Sequence, residues 1–349
     1  MKIGFDAKRY FNNQTGLGNY ARWLVNNLAL NQSNEYVLYQ PKLVETTQTN
    51  IKYPTGIFSL LTSLWRSRFI CRDLVRDKIE VYHGLSNELP FGIHKTNIKT
   101  VVTIHDLINK RYPHYYSKID GLIYDRKLRY TQRVATQIVV PSKQTKDDLI
   151  SFYNTDSDKV IIIPLSLKAK VFGQESLNMD KPYVLCVSGF SKRKNLLNLV
   201  QAYQSANLEL NLVIAGRKGD SYAQIEHLAK NDDRVLLYPN VTDKTLSSLY
   251  QGATFCVYPS EFEGFGIPIL EAFSYGKTVA TSNCSSMPEV GGDAAEYFDP
   301  LIQESIKHAL EHLSVDSYRQ QREASISKQL SLFQSDILIG QYLNLYQSI

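Results

Sequence analysis

The stretch YPSEFEGFGIPILEAF, residues 258–273, contains two glutamates eight positions apart, Glu263 and Glu271, on either side of a glycine-rich turn. Pro268 fits a helix only in its first turn, so a helix is predicted to begin near Gly266. Glu263 then lies in the entry loop and Glu271 about one turn inside, both near the positive end of the helix dipole. Acids there stabilise a helix by themselves, which explains one glutamate better than two.

A second candidate is a run of three cations, Lys192, Arg193 and Lys194. It lies between the strand-like YVLCVSG, which ends at Gly189, and a helix predicted to start near Asn195. The carboxyl end of a strand followed by a helix start is a common place for a bound phosphate. A solvated turn is the alternative interpretation of the same run.

Two further glycines, Gly16 and Gly18 in TGLGNYARWLVNNLA, lie at the predicted start of an amphipathic helix. Unpaired N–H groups at such a start can bind an anion, although loop geometry alone also explains the glycines. No G-x-G-x-x-G follows the first strand of either half, and no Walker motif occurs, which argues against dinucleotide chemistry and P-loop hydrolysis.

These candidates need a scaffold, and the chain provides a regular alternation of short apolar runs with helical patterns. Strands that are hydrophobic throughout and separated by helices predict parallel sheets covered on both faces, which is a doubly wound α/β fold. With 349 residues, two domains are expected, with a boundary in residues 164–182, and residues 301–349 are predicted to be helical only. Ligands of such sheets bind at the carboxyl ends of the strands.

The composition is that of a globular protein, with 43% hydrophobic and 21% charged residues. The net charge of +5 is spread along the chain, so no nucleic-acid partner is predicted. The first residues are too quickly charged for a secretory signal, and no apolar stretch is long enough to cross a bilayer. A cytoplasmic location is expected, with a peripheral contact on the inner face of the membrane left open.

The segment LYQGATFCVYPSEFEGFGIPILEAFSYGKTVATSNCSSMPEVGGDAAEYFDP, residues 249–300, closely resembles the C-terminal signature of the family-4 retaining glycosyltransferases. Glu263 to Glu271 matches the E-x7-E motif of that family, and TGLGNYARWL, TIHDLINKRYPHYYS, QIVVPSKQTKDDLISFY, KVIIIPLSL and KRKNLLNLVQAY match other blocks. The resemblance implies an α/β GT-B fold of two Rossmann-like, doubly wound domains facing across a cleft. We expect an acceptor-binding domain at 1–168, a nucleotide-sugar-binding domain at 169–332 and a terminal helix, about 333–349, packed back on the first domain.

The same resemblance implies the activity. It is transfer of a hexose from a nucleotide sugar to a hydroxyl of a glycan or polyprenyl-linked glycan acceptor, with retention at the anomeric carbon, in bacterial surface polysaccharide synthesis. The nearest group is the mannosyltransferase-like enzymes, so GDP-mannose is the preferred donor. A UDP-sugar or a dTDP-deoxysugar stays open, as do a GT-B epimerase and a non-catalytic binding protein.

The family's functional residues map onto this chain position by position. Glu263 is expected near the donor sugar and Glu271 on the ribose, while Arg193 and Lys194 would neutralise the departing diphosphate. His105 in TIHD would face the donor sugar; a strand-end histidine can also be purely structural. The backbone N–H groups of Gly264, Phe265 and Gly266 would add donors. Three further glycines complete the expected donor-binding set, namely Gly16, Gly18 and Gly189.

Three further expectations concern the surroundings of this site. Phe190 stands where many relatives carry an arginine, so the phosphate site is predicted to depend on Arg193 and Lys194 alone. No metal or other cofactor is expected beyond the nucleotide-sugar co-substrate. Residues 56–78, with several arginines, are predicted to form a helix that lies either on an anionic membrane surface or, by its apolar face, against the first domain.

Overall fold

The structure is a computed structural model, and it describes residues 1–13, 15–31, 33–48, 50–167 and 179–349. The chain divides into two compact units, one formed by 1–168 with 335–349 and the other by 169–334. The segment in which the sequence places the domain boundary, 164–182, lies largely outside the described residues.

The first unit contains, among its described residues, a sheet of seven parallel strands. In spatial order these are β3 (Ile51–Lys52), β2 (Glu35–Tyr39), β1 (Lys2–Asp6), β4 (Val81–Gly84), β5 (Lys99–Thr103), β6 (Gln137–Val140) and β7 (Val160–Ile162). The central strands β1, β4, β5 and β6 are almost entirely buried, because helices cover both faces of the sheet. The order of the chain reverses between β1 and β4, and the crevice at such a reversal is where open parallel sheets bind ligands.

Helices alternate with these strands as the hydrophobic pattern predicts. They are α1 (Lys8–Asn12), α2 (Gly16–Ala29), α3 (Thr62–Leu64), α4 (Ile70–Arg76), α5 (Ile108–Arg111), α6 (Lys118–Val134) and α7 (Lys143–Tyr153), with 3-10 turns at Ile93–Lys95, Pro113–Tyr115 and Ser157–Lys159. Serine side chains cap the N-termini of α6 and α7. The Ser117 hydroxyl accepts a hydrogen bond from the N–H of Asp120, and the Ser142 hydroxyl accepts one from the N–H of Thr145. Both serines therefore mark helix starts that the sequence can show.

Residues 56–78 do not form the single helix that was predicted. They form a 3-10 turn (Gly56–Ser59), α3, a π turn (Trp65–Phe69) and α4. Trp65, Ile70 and Leu74 are buried in the core of the unit, and Arg66 is bound by two carboxylates with only 11% of its side chain exposed. The prediction of a single helix is therefore wrong, while apolar side chains of the segment do pack against the first domain.

The second unit contains, within the described residues, a sheet of six parallel strands. In spatial order they are β10 (Val235–Pro239), β9 (Asn211–Gly216), β8 (Tyr183–Val187), β11 (Phe255–Tyr258), β12 (Val279–Ser282) and β13 (Ala295–Phe298). Its helices are α8 (Leu196–Ser205), α9 (Tyr222–Ala229), α10 (Asp243–Gly252), α11 (Ile267–Ser274), α12 (Met287–Gly291), α13 (Gln303–Ser314), α14 (Asp316–Glu323) and α15 (Ile326–Ser331), and Lys192–Lys194 and Gly292–Ala294 form 3-10 turns. The chain order reverses here between β8 and β11.

The last helix, α16 (Ser335–Ser348), belongs to the first unit. The hydroxyl of Tyr342 lies 2.9 Å from that of Tyr20 in α2, and Ser335 accepts a hydrogen bond from the indole of Trp23 at 2.9 Å. The hydroxyl of Tyr346 lies 2.7 Å from Nδ1 of the buried His83. The chain thus leaves the first unit and returns to it.

A search of the described helices finds none with the length and apolar character needed to cross a membrane.

Candidate functional site

A largely buried cluster of two cations and one carboxylate lies at the point of the second unit where the strand order reverses. Glu263 Oε1 accepts hydrogen bonds from Arg193 Nη1 at 2.7 Å and from Lys194 Nζ at 2.5 Å. Lys194 also donates to the hydroxyl of Tyr258, the last residue of β11, at 2.7 Å. The basic run after β8 and the acidic loop after β11 therefore form one site, because β8 and β11 are neighbours in the sheet.

Backbone contacts fix the position of this cluster. Asn195, in the left-handed conformation with a φ of 58°, ends the basic 3-10 turn, and its side chain donates to the carbonyl of Pro300 at 2.6 Å. The carbonyl of Arg193 accepts from the N–H of Glu261 at 3.1 Å, and its guanidinium donates to the carbonyl of Phe262 at 2.7 Å. The two loops are thus joined independently of the charges.

The charges of the cluster are set by its neighbours. Burial alone would raise the pKa of Glu263, but Lys194 and Arg193 outweigh it and lower the pKa to about 2. Burial lowers the pKa of Lys194, and the charge of Glu263 acts in the opposite direction. Glu263 is therefore a carboxylate at neutral pH, suited to accept hydrogen bonds and unsuited to donate a proton.

Two serines, which the sequence did not single out, hold the loop that carries Glu263. Ser285 Oγ accepts from the N–H of Glu263 at 3.0 Å and donates to its carbonyl at 2.7 Å. Ser286 donates to the carbonyl of Phe265 at 2.6 Å. The Phe265 side chain is buried against Phe333, with ring centroids 5.7 Å apart, so it faces the interior of the unit.

The predicted helix start is confirmed, since α11 begins at Ile267 with Gly266 as its N-cap. Gly266 has a φ of 119°, a conformation that side-chain-bearing residues rarely adopt. Gly264 lies buried in the same loop. Glycine at 266 thus lets the chain turn sharply from the Glu263 loop into the helix.

Glu271 is the fifth residue of α11, and the first turn of this helix contains no acidic residue. Stabilisation of a first turn by charge therefore does not explain Glu271. Its Oε2 accepts a hydrogen bond at 2.9 Å from Tyr250 of α10, whose ring stacks on Tyr275 with centroids 5.2 Å apart. No motif in the sequence signals Tyr250 as its partner.

The turn after β8 shows what Phe190 does in place of an arginine. Its ring is fully buried and packs edge-on against Tyr222 at 4.9 Å. Its N–H donates to the carbonyl of Arg217 at 3.0 Å. A Cβ on Gly189 would meet only that carbonyl, at 3.8 Å, so packing does not require a glycine there. Phe190 is a core residue and supplies no group to the charged cluster.

In the first unit, His105 follows β5 and is almost fully buried. Its Nε2 lies 2.9 Å from the carbonyl of Leu85, so the proton of the neutral ring is on Nε2 and Nδ1 is the acceptor. Burial lowers the pKa of His105 to about 4, although the hydrogen bond to Leu85 acts to raise it. The ring of Tyr20, one turn after Gly16 in α2, packs edge-on against His105 at 4.8 Å.

The two glycines of α2 have different structural roles, a difference that the sequence did not predict. A Cβ on Gly18 would lie 1.8 Å from the carbonyl oxygen of Asn13, whereas one on Gly16 would meet nothing within 4 Å. The N–H of Gly18 already donates to the Thr15 carbonyl at 3.0 Å. Gly18 is therefore not an unpaired donor: it allows the close approach of α1 and α2. At Gly16, by contrast, packing does not require a glycine.

Metal ligation finds no support in the described part of the chain, where no group of three or more His, Cys, Asp and Glu side chains could hold an ion.

Comparison with known proteins follows the two units. Residues 16–167 match the profile "Glycosyltransferase Family 4", and residues 168–329 match "Glycosyl transferases group 1". O-antigen chain mannosyltransferase B of Escherichia coli is 30% identical over 285 residues, which are 76% of this chain and 74% of that protein. The chain belongs to glycosyltransferase family 4. O-antigen chain mannosyltransferase RfbU of Salmonella typhimurium is 26% identical to this glycosyltransferase over 215 residues. The match covers 61% of the present chain and 60% of RfbU.

Solved structures similar to this glycosyltransferase cover both of its units. Sucrose-phosphate synthase of Thermosynechococcus elongatus superposes with a TM-score of 0.80 at 18% identity, over 100% of this chain and 98% of that one. The structure of Anabaena HepE in complex with UDP and glucose superposes with a TM-score of 0.76 at 14% identity, over 100% of both chains. The predicted fold class, α/β GT-B with two Rossmann-like doubly wound domains, is confirmed.

Most of the predicted residues of the glycosyltransferase fall into two groups, while Glu271 contacts Tyr250 and Gly189 lies in the turn after β8. Arg193, Lys194 and Glu263 are in direct contact, with Gly264, Phe265 and Gly266 in the same loop. In the first unit, Gly16, Gly18 and His105 are linked through Tyr20 of α2.

Proposed function

We propose that this glycosyltransferase is a retaining mannosyltransferase. It transfers mannose from GDP-mannose to a hydroxyl of a glycan or lipid-linked glycan in the synthesis of a bacterial surface polysaccharide. The contact of Glu263 with both Arg193 and Lys194 is the observation that carries the proposal.

The donor diphosphate fits the positive charge of this cluster. Two cations share one carboxylate oxygen, so the cluster keeps an excess positive charge at the carboxyl ends of β8 and β11. The departing diphosphate gains charge in the transition state, and Arg193 and Lys194 would stabilise it there. The N–H groups of Phe265 and Gly266, in the loop before α11, would add donors.

The donor sugar and ribose would bind to the two glutamates. Arg193 and Lys194 both contact Oε1 of Glu263, so Oε2 is the oxygen that a sugar hydroxyl would meet. Glu271, oriented by Tyr250, would accept from the ribose hydroxyls. Hydrogen bonds to a charged group contribute about 1.5–3 kcal/mol each, so these contacts would position the donor strongly.

In the transfer step, the bond between the anomeric carbon and the diphosphate oxygen breaks, and a bond to the acceptor oxygen forms on the same face. The acceptor proton passes to the departing diphosphate, so no side chain has to act as a base. The low pKa of Glu263 fits this assignment, because a carboxylate with a pKa of about 2 is a poor proton acceptor. His105, neutral and with Nδ1 as acceptor, would hold a sugar hydroxyl.

The choice of mannose is supported by the relatives of this chain. The Escherichia coli and Salmonella proteins at 30% and 26% identity are both O-antigen chain mannosyltransferases. A thermal-shift series with GDP, UDP, dTDP and their sugars tests the donor directly. A ligand at 100 times its dissociation constant stabilises by about 2.7 kcal/mol, so GDP and GDP-mannose should raise the melting temperature while UDP and dTDP leave it unchanged. A shift with UDP or dTDP alone would exclude the GDP donor.

Product analysis separates the transferase from its alternatives. With GDP-mannose and an acceptor glycan, we expect release of GDP and a new glycoside with the α configuration of the donor, measured by NMR at the anomeric position. Incubation of the donor alone should give no epimer. A β-linked product would contradict retention, and absence of GDP release with every acceptor would favour a binding protein.

A further inference from the structure

A cavity of about 560 Å³ lies within the first unit, apart from the charged cluster of the second. Lys8 and Arg9 reach it from the segment after β1, and Glu88 from the segment after β4. It therefore lies at the reversal of strand order between β1 and β4, the position at which open parallel sheets bind ligands.

The lining of this cavity is strongly basic. Five cationic side chains line it, and Glu88 is the one carboxylate among its lining residues in the described chain; the cations are Lys8, Arg9, Lys42, Arg66 and Lys127. A second carboxylate, that of Asp6, binds Arg66 without lining the cavity itself. A net positive charge of three in one cavity favours an anion that carries more than one negative charge.

Arg66 is the fixed element of this lining. Its guanidinium is bound to Asp6 at 2.5 Å and to Glu88 at 3.0 Å, and only 11% of its side chain is exposed. Glu88 also binds Lys127 at 3.3 Å. The two carboxylates thus hold Arg66 in place, while Lys8, Lys42 and Lys127 remain partly exposed and able to turn toward a ligand.

Two further features concern the cations of this lining. The Nε of Arg9 is buried and has no hydrogen-bond partner in the part of the chain that the structure describes. Partial burial, and after it the charge of Arg66, lowers the pKa of Lys8, while the charges of Glu88 and Asp6 act to raise it. A bound anion would offset the repulsion among the cations that line the cavity.

Apolar side chains are exposed at the edge of the same cavity. Leu43 lines it and is 83% exposed, and Leu61 and Leu64 flank the lining residues Thr62 and Ser63 in the chain, with 46% and 45% exposed. Exposed leucines beside a basic cavity suit a ligand with an anionic group and a hydrocarbon part.

We infer that this cavity binds a phosphate or diphosphate group carried by the acceptor substrate. The assignment of the phosphate to the acceptor substrate rests on the proposed function, whereas the anion-binding site itself rests on the cavity alone. Lys8, Arg9 and Lys127 contact the phosphate oxygens, and Arg66 supplies a fixed positive charge behind them. An acceptor held here by its phosphate is recognised independently of the sugar that it presents.

The test compares two triple variants of the full chain with equal changes of charge. Lys8→Gln, Lys42→Gln and Lys127→Gln together remove cavity cations and leave Arg66 with both of its carboxylates. Lys95→Gln, Lys99→Gln and Lys118→Gln together form the control, since these lysines are exposed in the same unit and do not line the cavity. Circular dichroism and thermal melts establish that both variants fold.

Inorganic diphosphate and farnesyl diphosphate are titrated into each protein by calorimetry at low salt, with GDP present in excess to occupy the proposed diphosphate site at Arg193 and Lys194. The cavity variant should bind both roughly tenfold or more weakly than the wild type, and the control within about twofold of it. Equal affinity of the two variants would overturn the inference. Tighter binding of farnesyl diphosphate than of inorganic diphosphate by the wild type would identify a lipid-linked phosphate, and equal binding a water-soluble phosphate ester.

The same variants separate this inference from the proposed function. The GDP-induced thermal shift depends on the second unit, so the cavity variant should keep it. If no nucleotide shifts any of the proteins while diphosphate binding still depends on the cavity lysines, the proposed donor fails and the phosphate site stands. If nucleotide shifts are normal and diphosphate binding ignores the cavity lysines, only the phosphate site fails.

Discussion

The ammonium group of Lys194 lies 2.5 Å from the carboxylate of Glu263, although 68 residues separate them in the chain. Only 16% and 14% of the two side chains are exposed, so water screens their charges weakly. Each charge makes the burial of the other tolerable, and loss of one partner leaves the other buried without compensation. The pair is therefore important for stability as well as for any bound ligand.

Glu263→Gln should abolish sugar transfer and lower the free energy of unfolding by about 3 kcal/mol, because Arg193 and Lys194 lose their shared counter-ion. Urea denaturation and a transfer assay measure the two effects. Glu209→Gln, a change at an exposed glutamate of the same unit, is the matched control and should alter neither. Wild-type turnover by a folded Glu263→Gln protein would refute the site assignment.

Acid should weaken the protein through the same carboxylate. The pKa of Glu263 is about 2 in the folded chain against an ordinary value of 4.5, so the folded state binds its proton less readily than the unfolded state. Its stabilising contribution is complete above pH 4.5 and is lost as the pH falls toward 2. The free energy of unfolding of the wild type, measured against pH, should therefore fall more steeply below 4.5 than that of Glu263→Gln; parallel curves would contradict the low pKa.

His105 should make stability depend on pH in a higher window. Its pKa is about 4 in the folded chain and 6.5 when exposed, so the unfolded state takes up the proton first as the pH falls. The contribution of the neutral ring is present above 6.5 and is lost between 6.5 and 4. His105→Gln should reduce the slope of stability against pH in this window. NMR of the wild-type ring at pH 6.5 should show a neutral imidazole protonated on Nε2; an imidazolium there would be inconsistent with the structure.

The two glycines at the start of α2 should respond differently to one added methyl group. Gly18→Ala should destabilise the protein by about 1–3 kcal/mol, since its Cβ would overlap the Asn13 carbonyl. Gly16→Ala should leave stability within about 1 kcal/mol of the wild type, because its Cβ has space and alanine favours a helix. Thermal or urea unfolding of both variants makes the comparison. Reduced transfer by a stable Gly16→Ala protein would support a ligand contact at that residue.

The return of the chain through α16 can be tested at Tyr346. Its hydroxyl lies 2.7 Å from Nδ1 of His83, which is fully buried, and Nε2 of the same ring lies 2.8 Å from Thr103. Tyr346→Phe leaves Nδ1 without its partner and should cost about 1–3 kcal/mol in the free energy of unfolding. Tyr53→Phe, at a half-buried position of the same unit, serves as the control and should have little effect. Equal stability of the two variants would show that the buried hydrogen bond is unimportant.

The scaffold was predictable from the sequence because local pattern decides it. Apolar runs such as VVT in β5 and FCVY in β11 are short, rich in β-forming residues and bounded by polar turns, and each forms a buried strand. Two strands do not show this pattern: β3 has only two residues, and the AEYF strand β13 is too mixed in polarity to show a period. Pro268 located the start of α11 by sterics alone.

The partners within the site could not be predicted from local pattern. Glu263 contacts Arg193 and Lys194 because β8 and β11 are neighbours in the sheet, and no local feature of either segment encodes that neighbourhood. The same holds for Arg66 in the segment 56–78, which is bound by Asp6 and Glu88 from two other segments.

By itself, the sequence determined the alternating scaffold, the position of the E-x7-E segment at the start of a helix and the basic run after a strand, because sterics and hydrophobic period act over a few residues. Only the tertiary structure decided that the basic run and Glu263 form one buried cluster, that Phe190 packs inward and that Gly18 serves helix packing. These outcomes depend on contacts between segments far apart in the chain, and burial makes those contacts strong enough to set the charge of each group.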